Sequence, residues 1–246
     1  MRIAVLGDIH GNFEALEAVI ADLKHRAPDL IVNLGDSLSG PLEAALTADG
    51  LMEFGWPTVR GNHDRYLAED PVARMGLSDR SAFDQLQASH FAWLEGLPPF
   101  LAPTDELFLC HGTPESDETY LMESVTSQGT ELATKRRMLA QLLGVRAKVV
   151  LCGHSHVPRL ARLPTGQLVF NPGSVGLPAY EDETPHRHVM QVGSPHARYG
   201  LADKLGTGWA FTHCAVEYDW NAAADKAAAA GRRDWENALR TGFAEG

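Results

Sequence analysis

Residues 3–12 read IAVLGDIHGN, a short apolar run that ends in glycine and is followed by an aspartate and a histidine. The run Ile3–Leu6 has the length and composition of a buried strand, and the apolar residues after the turn recur at helical spacing. The segment therefore predicts a strand, a sharp turn that carries Asp8 and His10, and a helix.

The same arrangement recurs along the chain, because four further apolar runs end just before a possible metal ligand. The sequences at these ends are GD at 35–36, GNHD at 61–64, HG at 111–112 and GHSH at 153–156. Apolar runs that alternate with helical segments predict an α/β fold with parallel strands. In such folds, side chains at the carboxyl ends of neighbouring strands converge on one site although they lie far apart in sequence.

The converging side chains offer seven nitrogen and oxygen ligands. They are Asp8, His10, Asp36, Asn62, His111, His154 and His156. Seven ligands are more than one ion with open coordination positions needs, whereas two ions about 3.5–4 Å apart, bridged by a carboxylate, would use them all. Imidazole, amide and carboxylate groups suit manganese, iron, zinc, nickel or cobalt. We expect two divalent transition-metal ions, with manganese favoured.

Composition excludes several classes of protein. The 246 residues include 32 acidic and 21 basic ones, a formal net charge of −11, which argues against broad nucleic-acid binding. Three cysteines without a C-x-x-C spacing cannot form a disulfide framework, and we expect them to pack as free thiols. No signal-peptide pattern and no apolar stretch near ~18 residues is present, which predicts a cytoplasmic protein without a membrane anchor.

The segments outside the motifs predict the remaining organisation of a single domain over residues 1–246. Residues 65–105 and 113–145 are expected to form helical insertions, and the polar residues 181–195 to form a surface loop. A hairpin, an alanine-rich helix and a last short helix are expected to follow that loop.

Five motifs occur in the order and spacing typical of the calcineurin-like metallophosphoesterases, a superfamily that the chain resembles. They are GDIHGN at 7–12, GD at 35–36, GNHD at 61–64, HG at 111–112 and GHSH at 153–156. A later segment, NPGSVG at 171–176, is similar to a signature of the compact bacterial phosphodiesterase-like branch. The resemblance implies a four-layer α/β/β/α sandwich, in which two mixed β-sheets are flanked by helices.

The resemblance also implies a role for each motif residue. The implied ligands of the first ion are Asp8, His10, Asp36 and His156. The implied ligands of the second are Asp36, Asn62, His111 and His154, so that Asp36 is the bridge. His63 would be the histidine outside the ligand set, which stabilises charge on the phosphoryl group or protonates the leaving oxygen.

The chain departs from the superfamily pattern at a position that matters for His63. Many members carry a second acid in a G-D-x-x-D segment, which pairs with that histidine, and here Ser39 replaces it. We expect Asp64, the next residue in GNHD, to orient His63 instead. Arg60 and Arg65 flank the same motif and are candidates for contacts with phosphate.

Together these features predict a metal-dependent phosphodiesterase or phosphatase that acts on small substrates through a metal-bridged hydroxide. The resemblance to the superfamily also implies that these substrates are of the nucleotide type. Two divalent ions would attract an anionic substrate even to an acidic protein.

The alternatives to this function are a dinucleoside polyphosphate hydrolase and a noncatalytic scaffold of the same fold. A metallo-β-lactamase-type hydrolase would need an H-x-H-x-D-H run, which the residues after His154 do not provide. The natural substrate and the oligomeric state stay open.

Overall fold

Two larger β-sheets organise the chain, of which the computed structural model describes residues 1–244. The strands in this range are β1 (Arg2–Leu6), β2 (Leu30–Asn33), β3 (Phe100–Thr104), β4 (Leu107–Cys110), β5 (Glu123–Thr126), β6 (Gly129–Leu132), β7 (Val149–Leu151), β8 (Arg159–Arg162), β9 (Leu168–Asn171), β10 (Ala179–Asp182), β11 (His188–Gln191), β12 (Ala197–Leu205) and β13 (Gly208–Val216). The α-helices are α1 (Phe13–Arg26), α2 (Ala44–Phe54), α3 (Asn62–Glu69), α4 (Leu77–Phe83), α5 (Ala88–Glu95), α6 (Lys135–Gln141), α7 (Trp220–Ala229) and α8 (Arg233–Thr241).

Both larger sheets contain parallel and antiparallel strand pairs. The first has the order β13-β12-β1-β2, in which β1 is parallel to β2 and antiparallel to β12. The second has the order β3-β4-β7-β9-β8, in which β4, β7 and β9 are parallel and the two edge strands are antiparallel. The sheets are therefore mixed, whereas the alternation of strands and helices alone predicts parallel strands.

An apolar core lies between the two sheets. Ile3 and Val5 of β1 point into it, while Ala4 and Leu6 point to the helices, because successive side chains of a strand face opposite ways. Leu109 of β4 enters the same core from the second sheet. β1 is thus apolar on both faces, as expected for a strand that is covered on both sides.

Helices cover the outer face of each sheet. Leu16 and Val19 of α1 pack on the first sheet. Met138 of α6 packs on the second sheet, against Cys110 and Val150. The order of helix, sheet, sheet and helix confirms the four-layer sandwich.

Two segments differ from the prediction. Residues 113–145 are not mainly helical, because β5 and β6 form a hairpin whose turn places Gly129 at φ 116°, and the helix there is confined to Lys135–Gln141. Residues 181–195 are not an irregular loop, because all of β11 lies in this range and pairs with β10. Their polar composition is typical of a loop, but the buried side chain of Met190 anchors the hairpin.

The C-terminal region agrees with the prediction. β12 and β13 form the expected hairpin, and α7 and α8 are the expected helices. The two helices pack against one another, and Trp235 of α8 is buried against the chain near Leu177. The three cysteines are buried free thiols, as predicted. None of the helices in the described range is long and apolar enough to cross a membrane.

Candidate metal centre

Four strands that end at one edge of the two sheets lead to most of the predicted ligands. β1 and β2 lead to Asp8 and Asp36, and β4 and β7 lead to His111 and His154. The strand ends are tied together, because the N–H of Asp8 donates to the carbonyl of Gly35 at 2.9 Å. The seven predicted ligands are all buried, with at most 9% of any residue exposed. The structure thus brings together side chains that span most of the first 156 positions.

The backbone at these positions is strained. Five of the seven predicted ligands have φ between 51° and 69°, in the left-handed region. They are Asp8, His10, Asp36, His154 and His156. Within residues 1–244 the one other non-glycine residue of this kind is Ala27, at the end of α1. The conformation costs about 1–2 kcal/mol per residue and persists only where the surroundings impose it. Its concentration at the predicted ligands marks a functional site.

Asp8, His10 and His156 form a first buried triad, whose ligand atoms lie within 4.8 Å of one another. The Nε2 atoms of His10 and His156 are 3.1 Å apart, and Asp8 Oδ1 is 3.5 Å from His156 Nε2. Each ring is anchored at Nδ1, which donates to the carbonyl of Ser39 at 2.9 Å or of Leu177 at 2.6 Å. Because Nδ1 carries the proton of a neutral ring, the two Nε2 atoms turn lone pairs toward each other, which requires a shared cation or proton.

Asp36, His111 and His154 form a second triad of the same kind. Nε2 of His111 lies 3.1 Å from Asp36 Oδ2 and 3.1 Å from Asn62 Oδ1. Nδ1 of His111 donates to the carbonyl of Leu34 at 2.8 Å. The ring is therefore held from the backbone, and its second nitrogen points at the oxygen ligands.

Asp36 lies between the two triads. Its Oδ2 is 3.1 Å from His111 Nε2 and 4.0 Å from His10 Nε2, while its Oδ1 accepts from the N–H of His63 at 2.9 Å. Although burial acts in the opposite direction, His111 and His63 hold the pKa of the Asp36 carboxyl well below its usual range. Burial lowers the pKa of His111, but the Asp36 carboxylate outweighs burial and raises it to about 10.

Burial sets the protonation of the other ligands. It lowers the pKa of His10 to about 4 and of His154 to about 3, and it lowers the pKa of His156 well below the usual value. These rings are neutral at pH 7, which is the form that binds metal ions. Burial also raises the pKa of the Asp8 carboxyl to about 7, so protons compete with a cation at this residue.

Two glycines allow the carboxylates their positions. A β-carbon at Gly61 would lie 2.1 Å from Asp36 Oδ1, and one at Gly153 would lie 3.0 Å from Asp8 Oδ2. The contact at Gly61 is too short for any side chain, and the one at Gly153 is tighter than most β-carbon contacts, so both glycines permit the close approach of a carboxylate.

The donor set fits divalent metal ions. Asp8 Oδ2 is buried and has no hydrogen-bond partner within residues 1–244. An unpaired buried polar atom costs about 1–3 kcal/mol, and more when it is charged. This oxygen belongs to the triad that also contains the facing lone pairs of His10 and His156. Nitrogen and oxygen donors in this number suit the transition metals predicted from the sequence.

His63 lies outside both triads and faces the cavity into which they open. Its side chain is 31% exposed, and Nδ1 lies 2.7 Å from Asp79 Oδ1 and 3.3 Å from Ser39 Oγ. Burial opposes protonation, but the carboxylates of Asp36 and Asp79 raise the pKa of His63 to about 9. The ring therefore carries an additional proton at pH 7.

The prediction that Asp64 orients His63 is wrong. The Asp64 carboxylate accepts from the N–H groups of Asp36 at 2.9 Å, Ser37 at 2.9 Å and Gly61 at 3.0 Å. Adjacent residues of a helix do not face each other, so the two side chains diverge at the start of α3. Asp64 instead fastens the loop of Asp36 to that helix.

Arg60 and Arg65 are not brought to the triads. They line a smaller neighbouring pocket rather than the cavity. Two hydrogen bonds of 2.8 Å join Arg65 to Asp117, and one of 2.8 Å joins Arg60 to Glu69. Carboxylates thus balance both guanidinium groups, and the geometry gives no support to the predicted contacts with phosphate.

The triads open into a cavity of about 1280 Å³. Its volume exceeds the needs of a phosphate group and is of the order found for sites that bind small organic molecules. Much of the lining comes from segments without motifs. The charged and aromatic residues that these segments contribute include Tyr66, Asp79, Tyr120, Arg137, Tyr180, Arg187, Arg232 and Trp235.

Two tyrosines that the motifs do not indicate support the ligands. The ring of Tyr120 stacks on His154 with centroids 4.5 Å apart, and Tyr180 meets His156 edge-on at 4.6 Å. The Tyr180 hydroxyl donates to the carbonyl of His154 at 2.9 Å and lies 2.8 Å from the Tyr120 hydroxyl. These contacts restrict both imidazole rings. No local sequence signal distinguishes either tyrosine from a surface residue.

Comparison with known proteins agrees with this geometry. The sequence model of the calcineurin-like phosphoesterase superfamily domain matches residues 1–193, well over half of the chain. The chain belongs to this superfamily. It is accordingly a metal-dependent phosphoric ester hydrolase, and the resemblance seen in the motifs is confirmed. The superfamily implies divalent metal ions, and the two triads are groups that could hold them in this member.

Two relatives extend the similarity beyond residue 193. The crystal structure of a metallophosphoesterase from Sphaerobacter thermophilus has 25% sequence identity and a TM-score of 0.71, and the match covers 94% of this chain and 95% of that one. An uncharacterized protein of Methanocaldococcus jannaschii is 24% identical to this chain over 250 residues. The match covers 91% of this chain and 90% of that protein. Coverage this large includes much of the C-terminal region.

Proposed function

We propose that this phosphoesterase is dinuclear and hydrolyses phosphodiester or phosphomonoester bonds of small, nucleotide-type substrates. The proposed ligands of one ion are Asp8, His10, Asp36 and His156. The proposed ligands of the other are Asp36, Asn62, His111 and His154. Asp36 is the proposed bridge, because it lies near histidines of both triads. Manganese is the proposed metal, with iron, zinc, nickel and cobalt as the alternatives.

One observation carries the proposal. The Nε2 atoms of His10 and His156 face each other at 3.1 Å, although each Nδ1 donates to a carbonyl. Burial keeps both rings neutral at pH 7, so neither has a proton to place between the two nitrogens. A metal ion resolves this contact. The second triad, which repeats the backbone anchor at His111, supports a second ion.

The residues around the ions define the proposed chemistry. When bound, two divalent ions lower the pKa of water and offset negative charge on the phosphoryl oxygens. His63 holds a proton at pH 7 because its pKa is about 9, and Asp79 engages its Nδ1. The remaining ring nitrogen, Nε2, is therefore the group that can donate to the phosphoryl oxygens or the leaving oxygen.

The cavity supports a substrate larger than phosphate itself. Among its arginines within residues 1–244, Arg137 has no carboxylate partner, and its Nη1 donates to Ser124 Oγ at 2.9 Å. Arg187 and Arg232 are paired with Glu181 and Asp234. The charge of Arg137 is therefore available to a second anionic group of a substrate, such as another phosphate. A dinucleoside polyphosphate has such groups and stays within this proposal.

A noncatalytic scaffold of the same fold is the alternative from another class. A scaffold has no need of strained ligands, which cost stability, yet five left-handed residues are kept at this site. The filled ligand positions and the charged His63 favour turnover.

The proposal is tested with protein that is cleared of metal by a chelator and reloaded with Mn²⁺. The substrates are bis(p-nitrophenyl) phosphate, p-nitrophenyl phosphate, a cyclic nucleotide and diadenosine tetraphosphate. We expect two ions per chain by metal analysis, hydrolysis of at least one nucleotide substrate, and loss of the rate in the chelated sample. One ion per chain at full rate would contradict the dinuclear site. Two ions with no turnover on any ester would favour the scaffold.

A further inference from the structure

The acid that contacts His63 comes from outside the motifs. Oδ1 of Asp79, in α4, lies 2.7 Å from His63 Nδ1, and the Asp79 side chain is 5% exposed. Ser39 stands where many superfamily members carry the acid, and its Oγ lies 3.3 Å from the same nitrogen. Two different elements therefore reach one atom of the ring, and only α4 brings a carboxylate to it.

We infer that Asp79 is the positioning residue of His63, and that α4 supplies in space the acid that is missing at position 39. The inference rests on the proposed function, because His63 is the proton donor proposed there. A carboxylate that accepts from Nδ1 fixes the ring orientation and leaves Nε2 as the reactive nitrogen. The Ser39 hydroxyl is neutral and more distant, and it cannot replace this charge-assisted hydrogen bond.

The contacts of Asp79 differ from those of a structural aspartate. Asp64 is such a residue, because three backbone N–H groups donate to its carboxylate. Within residues 1–244, the one hydrogen bond to the Asp79 carboxylate is from His63. Asp79 also lies in the first turn of α4, where a negative charge suits the helix dipole, so its test must separate positioning from helix stability.

Arg232, the residue before α8, contacts α4. Nη1 of Arg232 donates to the Ser78 hydroxyl at 2.8 Å, beside Asp79. The Arg232 guanidinium also lies 5.7 Å from the ring centre of Trp235, and that ring meets His10 edge-on at 6.0 Å. Asp79 therefore lies on a helix that a contact with Arg232 restricts. Such a restriction lowers the entropy that is lost when His63 is positioned.

The test moves the carboxylate between the two elements. The variants are Asp79→Asn, Ser39→Asp and the double variant, with His63→Gln as a reference. We expect Asp79→Asn to lower kcat on phenyl phosphate esters by about 10- to 100-fold, the usual effect of losing such a partner. The loss should be smaller on p-nitrophenyl esters, whose leaving group needs less protonation. The double variant should recover at least about tenfold of kcat, because an acid again reaches Nδ1.

A second measurement does not depend on turnover. In zinc-loaded protein with ¹⁵N-labelled histidine, the slowly exchanging Nδ1–H signal of His63 is identified by its absence in His63→Gln. We expect this signal to exchange faster with water in Asp79→Asn, because an amide oxygen accepts a weaker hydrogen bond than a carboxylate, and to regain slow exchange in the double variant. Asp84→Asn, at the exposed end of the same helix, is the matched control and should leave signal and rate unchanged.

The outcomes of these experiments distinguish a failure of the positioning role of Asp79 from a failure of the proposed function. A signal whose exchange is unchanged in Asp79→Asn, or a dependence of kcat on the leaving group that runs opposite to that of His63→Gln, overturns the positioning role. An additional loss when Asp79→Asn is combined with His63→Gln also overturns it, because a residue that acts through His63 has no effect without it. Wild-type protein that holds two manganese ions but hydrolyses no ester refutes the proposed function, while the signal of the zinc-loaded protein still decides the pairing.

Discussion

The cavity has two kinds of surface, which come from different parts of the chain. The floor is defined as the seven residues Asp8, His10, Asp36, Asn62, His111, His154 and His156. Six of them follow strand ends, and Asn62 begins α3. The wall, defined as Asp79, Arg137, Tyr180, Arg232 and Trp235, comes from α4, α6, β10, α8 and the residue before α8. Five of the seven floor residues have a left-handed backbone, whereas the wall residues do not and are held by side-chain contacts. The difference indicates that metal chemistry is fixed by the fold and that substrate choice can vary with the wall.

The largest expected effect is on the floor. Asp36→Asn keeps an oxygen that can accept from the N–H of His63 but removes the charge shared by the two triads. We expect fewer than two ions per chain and a fall in kcat/KM of more than about 100-fold, beyond the usual effect of losing a residue that only supports a ligand. The measurements are metal analysis and hydrolysis of bis(p-nitrophenyl) phosphate.

Asp105→Asn is the control for that experiment, because Asp105 is an exposed aspartate in the turn between β3 and β4. It should bind two ions and retain the wild-type rate. Full metal content together with full activity in Asp36→Asn would break the distinction between floor and wall.

A second effect concerns the backbone beneath the floor. Gly61→Ala places a β-carbon 2.1 Å from Asp36 Oδ1, so the loop must shift. We expect a loss of about 1–3 kcal/mol in the free energy of unfolding, as for other overpacked sites, and weaker metal binding. Denaturant titration measures the first quantity and metal titration the second. Gly208→Ala, where the nearest atom to a β-carbon would be 3.8 Å away, should stay within about 0.5 kcal/mol.

The third prediction concerns pH. The pKa of Asp8 is raised to about 7 and that of His111 to about 10, so both groups hold protons at low pH and must release them to bind a metal ion. Metal affinity should therefore rise between pH 6 and pH 8, by about tenfold per pH unit for each proton released. Calorimetry in buffers of different ionisation enthalpy counts the protons. A pH-independent affinity would show that these residues are not ligands.

The smallest effect is expected on the wall. Arg137→Ala removes the cavity guanidinium that lacks a carboxylate partner within the described chain. We expect KM to rise by about tenfold for substrates with a second phosphate, as for the loss of one hydrogen bond to a charged group. The kcat value should not change. The control, Arg187→Ala, removes a charge already paired with Glu181 and should have a smaller effect on KM. Equal effects on mono- and polyphosphate substrates would contradict this role.

The floor could be predicted from the sequence because all of its residues except Asn62 follow strand ends, where order along the chain translates into proximity. The spacing of Asp8 and His10 predicts that both face one site, and the structure places them in one triad. The left-handed backbone of these residues has no counterpart in composition, since Asp and His also occupy ordinary turns. The strain is visible only in three dimensions.

The residues of the wall could not be predicted from the sequence, and the reason is physical. Asp79 is 16 residues from His63 and lies in no motif, so nothing local connects the two. Asp64 is adjacent to His63, but adjacency on a helix turns side chains apart. The hairpin of β5 and β6 was missed because the apolar spacing that predicts a helix belongs mainly to residues after Thr134. Side-chain pairing between insertions depends on how they dock, which no local pattern records.

The left-handed residues of the floor have a consequence for protein engineering. A stability screen on the metal-free protein would reward glycine at Asp8, His10, Asp36, His154 and His156, because glycine relieves about 1 kcal/mol or more at each such position. Every such gain would delete a candidate ligand. Many thermostable variants selected without metal are thus expected to be inactive. Selection in the presence of the ions should retain the candidate ligands.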